Sequence, residues 1–130
     1  MKILPDTSVW VDHLRGREDD ELGRLRHEGR IVVSGPVLAE MLKGTPPHRR
    51  DALWVSVGAL PWAELDRAAW RMVGEVAADL RTAGISLPLT DVEVSVAAVR
   101  ADAALWTRDL DFERIRSALP ALELYRPGSA

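Results

Sequence analysis

Short apolar runs alternate with segments of helical periodicity from one end of this chain to the other. Residues 3–4, 31–33, 103–106 and 122–125 are predicted strands, and residues 59–60 are a weaker candidate. Pro5 cannot donate to a central ladder, so the first strand is expected to end at Leu4 or to lose one bond. Strands that alternate with helices predict a parallel sheet covered on both faces. The expected fold is therefore an α/β class, three-layer α/β/α sandwich around a mostly parallel sheet.

Capping and stop signals give the expected helix boundaries. Asp6, Thr7 and Ser8 can cap a helix that begins directly after the first strand. Thr90 and Glu93 have the spacing of a capping box, so the segment that follows them is predicted to be helical despite its strand-like alternation. Further helices are expected at residues 19–28, 35–43, 49–57, 65–80 and 110–117.

Size and composition predict a single globular domain over residues 1–130, with 47% apolar and 28% charged residues. No run approaches the roughly 18 apolar residues of a membrane span, so we expect no membrane contact and a cytoplasmic location. The chain has no cysteine, and its three histidines (His13, His27 and His48) are scattered. Any chemistry must therefore rest mainly on carboxylates.

The charged residues give two opposing indications about nucleic-acid binding. The net charge of −3 argues against binding through bulk positive charge, yet only Lys2 and Lys43 of the 17 basic residues are lysines. The other 15 are arginines, whose planar fork suits phosphate, although a GC-rich genome explains the same bias. The five tryptophans are expected mainly in the core, with base stacking as an alternative for Trp10 or Trp54.

Acidic side chains follow two of the predicted strands. Asp6 follows the first strand, and Asp109 and Asp111 follow residues 103–106. Asp91 lies in the first turn of a predicted helix, and Glu40 borders the apolar arc of another. Because α/β sheets bind ligands beyond the carboxyl ends of their strands, these acids form the candidate site. Such an oxygen-rich cluster suits Mg²⁺ or Mn²⁺, which could activate a water for attack on a phosphodiester.

Each acid also has a purely structural interpretation. Asp6 could simply cap its helix, and Asp91 could complement a helix dipole. Asp109 or Asp111 could cap the helix expected at residues 110–117. Glu93 is interpreted as a capping-box partner rather than as a ligand. The combined arrangement of the acids, rather than any single one, indicates a functional site.

Four motifs together resemble those of PIN-domain ribonucleases and, more narrowly, those of the VapC toxins of bacterial toxin–antitoxin pairs. They are DTSVW at 6–10, LAEM at 38–41, LPLTD at 87–91 and LWTRDLDF at 105–112. Each motif is weak alone, but the set occurs in the order that is typical of the family. The resemblance covers essentially the whole chain.

The resemblance implies roles for individual residues. The catalytic set would be Asp6, Glu40, Asp91 and Asp109. Asp6 and Asp91 would be the principal Mg²⁺ ligands, Asp109 would complete the acidic pocket, and Glu40 would hold a metal-bound water or a second ion. The supporting set would be Thr7, Ser8, Thr107 and Asp111, of which the first three would orient carboxylates through hydroxyl hydrogen bonds.

The implied activity is that of a magnesium-dependent endoribonuclease toxin that cuts structured RNA, such as a tRNA or a loop of rRNA, with metal-activated water. The implied partners are a cognate VapB-type antitoxin and a second copy of the chain in a homodimer. Arg15 and Arg17 lie shortly after the helix that begins beside Asp6, so we predict that they contact RNA phosphates. Ordinary surface charge is the alternative for both.

Two other functions fit part of the pattern. A non-catalytic domain that only binds RNA or a partner would keep the acids. An aspartyl-phosphate phosphotransferase would also place acids after parallel strands, but it normally needs a lysine late in the chain, and no lysine follows Lys43. The phosphatases of such folds need a second aspartate where Ser8 stands.

Overall fold

The computed structural model describes residues 1–16 and 20–128. Its elements in chain order are β1 (Lys2–Pro5), α1 (Thr7–Leu14), α2 (Glu21–His27), β2 (Val33–Ser34), α3 (Gly35–Lys43), α4 (Pro47–Gly58), β3 (Trp62–Ala63), α5 (Arg67–Thr82), α6 (Leu89–Arg100), β4 (Ala103–Trp106) and α7 (Asp111–Ile115). The helix expected at residues 19–28 corresponds to α2, and Asp19 lies outside the described residues.

The sheet is parallel, and β1 and β4 lie at its centre. β1 pairs with β4 along its full length, beginning with Lys2 opposite Ala103. On the other side of β1, Ile31 forms a parallel bridge to Ile3 just before β2, and β2 pairs with β3. Leu124 forms a parallel bridge to β4 on its far side. The order across the sheet is therefore β3, β2, β1, β4 and the segment around Leu124.

The two central strands are covered on both faces. Every residue of β4 is buried, as is every residue of β1 after Lys2, which is the pattern of a strand between two layers. α6 packs against β4 and α5, and α1 packs against β1. The predicted α/β sandwich with a parallel sheet is confirmed. Trp10 is fully buried in this core, so the base-stacking alternative is wrong for Trp10.

Three strand predictions change in detail. The prediction of a strand at residues 59–60 is wrong, because the Leu60 N–H donates back to the Val57 carbonyl. Pairing begins with the Pro61 carbonyl, which accepts from the Val33 N–H. The strand expected at residues 122–125 is reduced to the bridge at Leu124. β1 continues through Pro5, opposite Trp106, because the missing N–H of a proline does not prevent its backbone from being extended.

The helix predictions hold, but one capping prediction is wrong. α6 begins at Leu89 after Pro88, so Thr90 lies inside the helix and no side chain caps its N-terminus. The proposed capping box of Thr90 and Glu93 is therefore not formed. α4 extends the predicted helix to Pro47, a residue type that fits the first turn, and α7 is shorter than expected. Within the described residues, no helix is both long and apolar enough to cross a membrane.

Candidate active site

The turns that follow β1 and β4 are joined to each other. The Asp6 N–H donates to the Trp106 carbonyl at 2.8 Å, and the Arg108 N–H donates to Ser8 Oγ at 3.3 Å. Arg108 Nε also donates to Asp12 Oδ2 on α1 at 2.7 Å. Because β1 and β4 are parallel neighbours, their carboxyl ends bring the first acid of the chain and the acids after β4 to one edge of the sheet.

Asp6 is 8% exposed and its carboxylate is surrounded by donors. Its Oδ1 accepts from the Ser8 N–H at 3.1 Å, from the Val9 N–H at 3.4 Å and from the Ser8 hydroxyl. Its Oδ2 accepts from the Thr107 hydroxyl at 2.6 Å. Burial raises the pKa of Asp6, and the hydrogen bonds from Ser8, Thr107 and Val9 lower it by less. Asp6 therefore caps α1, as its structural interpretation predicts, and belongs to the acidic edge as well.

Thr107 connects Asp6 with the acids that follow β4. Its hydroxyl donates to Asp6 and accepts from the Asp109 N–H at 3.0 Å. Asp109 Oδ1 in turn accepts from the Asp111 N–H at 2.9 Å, where α7 begins. The bond that supports the start of this helix is thus made by Asp109, whereas the Asp111 carboxylate faces Arg114 at 3.6 Å.

Asp91 lies in the first turn of α6 and is partly buried. Burial is the largest cause that raises the pKa of Asp91 to about 6. The negative charges of four other carboxylates add to it, and in decreasing order these are Asp109, Glu40, Asp6 and Asp111. Charges at a protein surface act strongly only at short range, so these causes indicate that the other four acids lie in the neighbourhood of Asp91. Within the described residues, no group donates a hydrogen bond to the Asp91 carboxylate.

Glu40 and Glu93 face each other from α3 and α6. The Thr7 hydroxyl donates to Glu40 Oε1 at 3.4 Å, which connects α1 to this acid. Burial raises the pKa of Glu93, and the charge of Glu40 raises it further. Glu93 was predicted as a capping partner and not as a site residue, because its spacing from Thr90 is that of a capping box. The same three-residue spacing places the side chains of Thr90 and Glu93 on one face of α6. That shared face is the sequence feature that could have indicated Glu93 as a site residue.

Arginines border the other side of Glu40. Arg15 follows α1, and its exposed side chain lines a cavity of about 660 Å³ together with Thr7 and Glu40. Arg49, from α4, lines the same cavity and was not singled out by the sequence analysis. Arg17 lies outside the described residues. Basic side chains therefore adjoin the acidic edge, which an RNA phosphate would require.

The donor chemistry of this edge fits a hard divalent cation. Its polar groups are carboxylates and hydroxyls, without thiolate or imidazole, and their mutual repulsion is what a cation would relieve. In the part of the chain that the structure describes, no three acidic or histidine side chains are grouped closely enough to hold an ion as they stand. Binding would therefore require rotation of exposed side chains such as those of Glu40 and Asp109.

Comparison with known proteins identifies the family. The model of the PIN domain matches residues 3–118, so the chain belongs to the PIN-domain family. A search of curated protein sequences gives no significant match. The resemblance that the four motifs suggest is thus confirmed for the family, whose members are generally nucleases.

Solved structures share the fold over nearly the whole chain. The DNA-bound VapBC of Salmonella typhimurium matches with a TM-score of 0.79 and 21% identity, over 96% of this chain and 97% of that one. VapBC2 of Rickettsia felis, bound to a DNA fragment from its promoter, matches with a TM-score of 0.77 and 20% identity, over 96% and 98%. VapBC-5 of Mycobacterium tuberculosis, a member of the VapBC family of toxin–antitoxin systems, matches with a TM-score of 0.66 and 22% identity, over 96% of this chain and 97% of that one. This likeness shows that the chain has the same fold over nearly its whole length.

Proposed function

We propose that this chain is a divalent-metal-dependent endoribonuclease toxin of the VapC type, neutralised by a VapB-type antitoxin. The observation that carries the proposal is the convergence of Asp6, Glu40, Asp91 and Asp109 at one sheet edge, where burial and repulsion raise the pKa of Asp91 to about 6. Carboxylates that lie close together repel one another, and a bound cation offsets that cost. Membership of a family of nucleases supports the same conclusion.

In this proposal, Asp6, Asp91 and Asp109 hold Mg²⁺, with Mn²⁺ as the alternative ion. When bound there, the ion would lower the pKa of a water and stabilise the leaving oxygen of the phosphodiester. Glu40 would hold a metal-bound water or a second ion. Water oxygen bonds to phosphorus while the bond from phosphorus to the 3′ oxygen breaks. The attacking water gives up a proton to solvent and the departing 3′ oxygen takes one from solvent, which leaves a 5′-phosphate and a 3′-hydroxyl.

Hydroxyl groups keep these carboxylates oriented. Ser8 and Thr107 donate to the two oxygens of Asp6, and Thr7 donates to Glu40. Partners of this kind fix the direction of a ligand's lone pairs, and their loss typically weakens metal affinity or activity by about 10- to 100-fold. The charge of Asp111 raises the pKa of Asp91 less than the charge of Asp109 does, which favours a supporting role for Asp111 and a catalytic role for Asp109.

The proposed substrate is structured RNA, such as a tRNA or a loop of rRNA, and Arg15 and Arg17 are proposed to contact its phosphates. The exposure of Arg15 beside Glu40 supports its part of this assignment. The fold likeness to VapBC complexes supports an antitoxin partner, because a basic antitoxin segment would complement the acids. A homodimer would bring two acidic edges into one RNA-binding surface.

The test compares wild type, Glu40→Gln and Glu75→Gln, expressed without antitoxin and followed by sequencing of RNA 5′ ends. Glu75 is an exposed glutamate on α5 that pairs with exposed Arg71, so it controls for the same chemical change. We expect growth arrest and new 5′-phosphate ends with wild type and Glu75→Gln, and neither with Glu40→Gln. Purified wild type should produce the same ends in Mg²⁺ and none in EDTA.

Other outcomes would contradict the proposal. Arrest by wild type and Glu40→Gln alike, without new RNA ends, would indicate a domain that only binds RNA or a partner. Identical ends in Mg²⁺ and EDTA would exclude the metal-dependent reaction.

A further inference from the structure

A second concave surface adjoins the acidic edge on the side of Glu40 that faces away from Arg15. It is a cavity of about 510 Å³ between α3, α5 and α6. The side chains that matter for its chemistry are Glu40, Lys43, Trp70, Thr90 and Glu93. Because Glu40 lines this cavity and also acts on Asp91, whatever binds here lies next to the proposed cleavage site.

Trp70 is the feature that calls for explanation. Its side chain is 49% exposed, and no other aromatic ring contacts it among the described residues. The backbone beneath it is fixed, because Asp66 caps α5 and pairs with Arg100 of α6 at 3.2 Å. The indole is therefore presented from the first turn of α5 into a cavity whose lining is mainly apolar, with a few polar side chains.

The cavity offers three kinds of contact that match one nucleotide. The indole of Trp70 offers a face on which a base can stack. Lys43, one turn after Glu40 on α3, is exposed and supplies a positive charge for a phosphate. Glu93 and Thr90 project from one face of α6 and supply a carboxylate and a hydroxyl for the edge of the base. A mainly apolar lining with a few placed polar groups is typical of small-ligand sites.

We propose that this cavity, the Trp70 subsite, binds one unpaired nucleotide of the RNA beside the phosphodiester that is cut. The base stacks on Trp70, a neighbouring phosphate contacts Lys43, and Glu93 reads the base. A carboxylate accepts two parallel hydrogen bonds, and guanine has two adjacent N–H donors on its Watson–Crick edge, so the subsite selects guanine. This inference rests on the proposed ribonuclease function and adds the specificity of the same site.

The cleavage test uses an RNA hairpin with a randomised seven-nucleotide loop and four proteins besides wild type. Trp70→Ala removes the stacking face, and Trp70→Phe restores one. Trp54→Ala is the matched control for loss of an exposed indole, because Trp54 is 51% exposed, packs edge-on against Trp62 at 6.0 Å and does not line the cavity. Its ring contact favours a packing role for Trp54 over the base-stacking alternative. Glu93→Gln removes the carboxylate that reads the base.

We expect Trp70→Ala to raise KM by about 5- to 100-fold with kcat changed less than about threefold, since stacking on an aromatic side chain is lost. Trp70→Phe should recover most of this loss, and Trp54→Ala should behave as wild type. Wild type should prefer guanine at one position beside the cut, and Glu93→Gln should lose that preference while still cutting.

A binding measurement separates failure of the subsite from failure of the proposed function. Fluorescein-labelled heptamers with a central guanine, and matched heptamers with an abasic site there, are titrated with each protein in EDTA and followed by anisotropy. Tighter binding of the guanine heptamer that disappears in Trp70→Ala supports the subsite even if no RNA is cut. Equal binding of both heptamers by wild type, or equal effects of Trp70→Ala and Trp54→Ala, overturns it. Loss of binding accompanied by a changed oligomeric state of Trp70→Ala in sedimentation assigns Trp70 to a protein interface instead, which also overturns it.

Discussion

Two carboxylates at the same sheet edge are held in opposite ways. Asp6, in the turn after β1, is buried and accepts hydrogen bonds from the backbone of α1 and from the hydroxyls of Ser8 and Thr107. Asp91, in the first turn of α6, has no such donor within the described residues and is surrounded by negative charge. The pKa of both groups is raised by burial, but hydrogen bonds offset this only for Asp6.

The comparison distinguishes a carboxylate that the fold orients from a carboxylate whose charge the fold disfavours. The turn after β1 fixes its carboxylate without help from any ligand, because its donors belong to the fold. The first turn of α6 instead contributes a charge that the folded protein disfavours, and a cation would relieve that penalty. The two regions therefore supply different parts of one proposed metal site, and each prediction below separates their contributions.

The largest expected effect is the loss of cleavage in Asp6→Asn and in Asp91→Asn, by at least about 100-fold each at saturating Mg²⁺. At Asp6, asparagine preserves size, and its amide oxygen can still cap α1, but it removes the charge that a cation needs. Single-turnover cleavage of a hairpin RNA measures the effect, with Glu75→Gln as the control for loss of one surface charge. Full activity of either variant would remove its residue from the proposed site.

A second comparison separates the two acids that follow β4. Asp109 acts more strongly on Asp91 than Asp111 does and also supports the start of α7, so Asp109→Asn should abolish cleavage and lower stability slightly. Asp111→Asn should reduce cleavage by less than about tenfold, because its nearest charged partner is the exposed Arg114. Turnover rates measured side by side decide the ranking, and the reverse order would contradict it.

Thr107 tests whether orientation matters independently of charge. Thr107→Val removes the donor to Asp6 and the acceptor of the Asp109 N–H while keeping the shape of the side chain. We expect a loss of about 10- to 100-fold in cleavage or in Mg²⁺ affinity, and Thr107→Ser should recover most of it. Equal activity of the valine and serine variants would show that the hydroxyl does not orient the site.

The smallest effect is on stability against pH in EDTA. The pKa of Asp91 is about 6 in the folded protein and near 3.8 when unfolded, so the folded state binds more protons between these values. Its contribution to the free energy of unfolding is therefore fully present below about pH 3.8 and is lost as pH rises through 6. Asp91→Asn should be more stable than wild type at pH 7.5, and this advantage should shrink toward pH 4. Urea denaturation at several pH values measures the difference, and an advantage that does not vary with pH would contradict it.

The sequence was informative where local signals decide the structure. The run that forms β4 and the capping residues after β1 specify their elements locally, so the edge carrying Asp6 and Asp109 was predictable. The predicted capping box of Thr90 and Glu93 was wrong, because α6 begins at Leu89, directly after Pro88 and before the expected cap at Thr90.

What could not be predicted depends on contacts between distant segments. Trp70 and Glu93 are 23 positions apart, and only the packing of α5 against α6 brings them to one cavity. The path from Asp6 through Thr107 to Asp109 likewise requires β1 to pair with β4, a partner about one hundred residues away. Patterns along a sequence report which face of an element is apolar, but not which polar side chains meet across elements.

The most direct measurement of the central claim is the titration of the Asp91 carboxyl group by NMR, with and without Mg²⁺. We expect a pKa of about 6 for Asp91 in EDTA, because burial and four neighbouring carboxylates disfavour the charged form of Asp91. We also expect that saturating Mg²⁺ shifts this pKa downward, since a bound cation favours the carboxylate. A pKa close to 4 in EDTA that Mg²⁺ does not change would contradict the account.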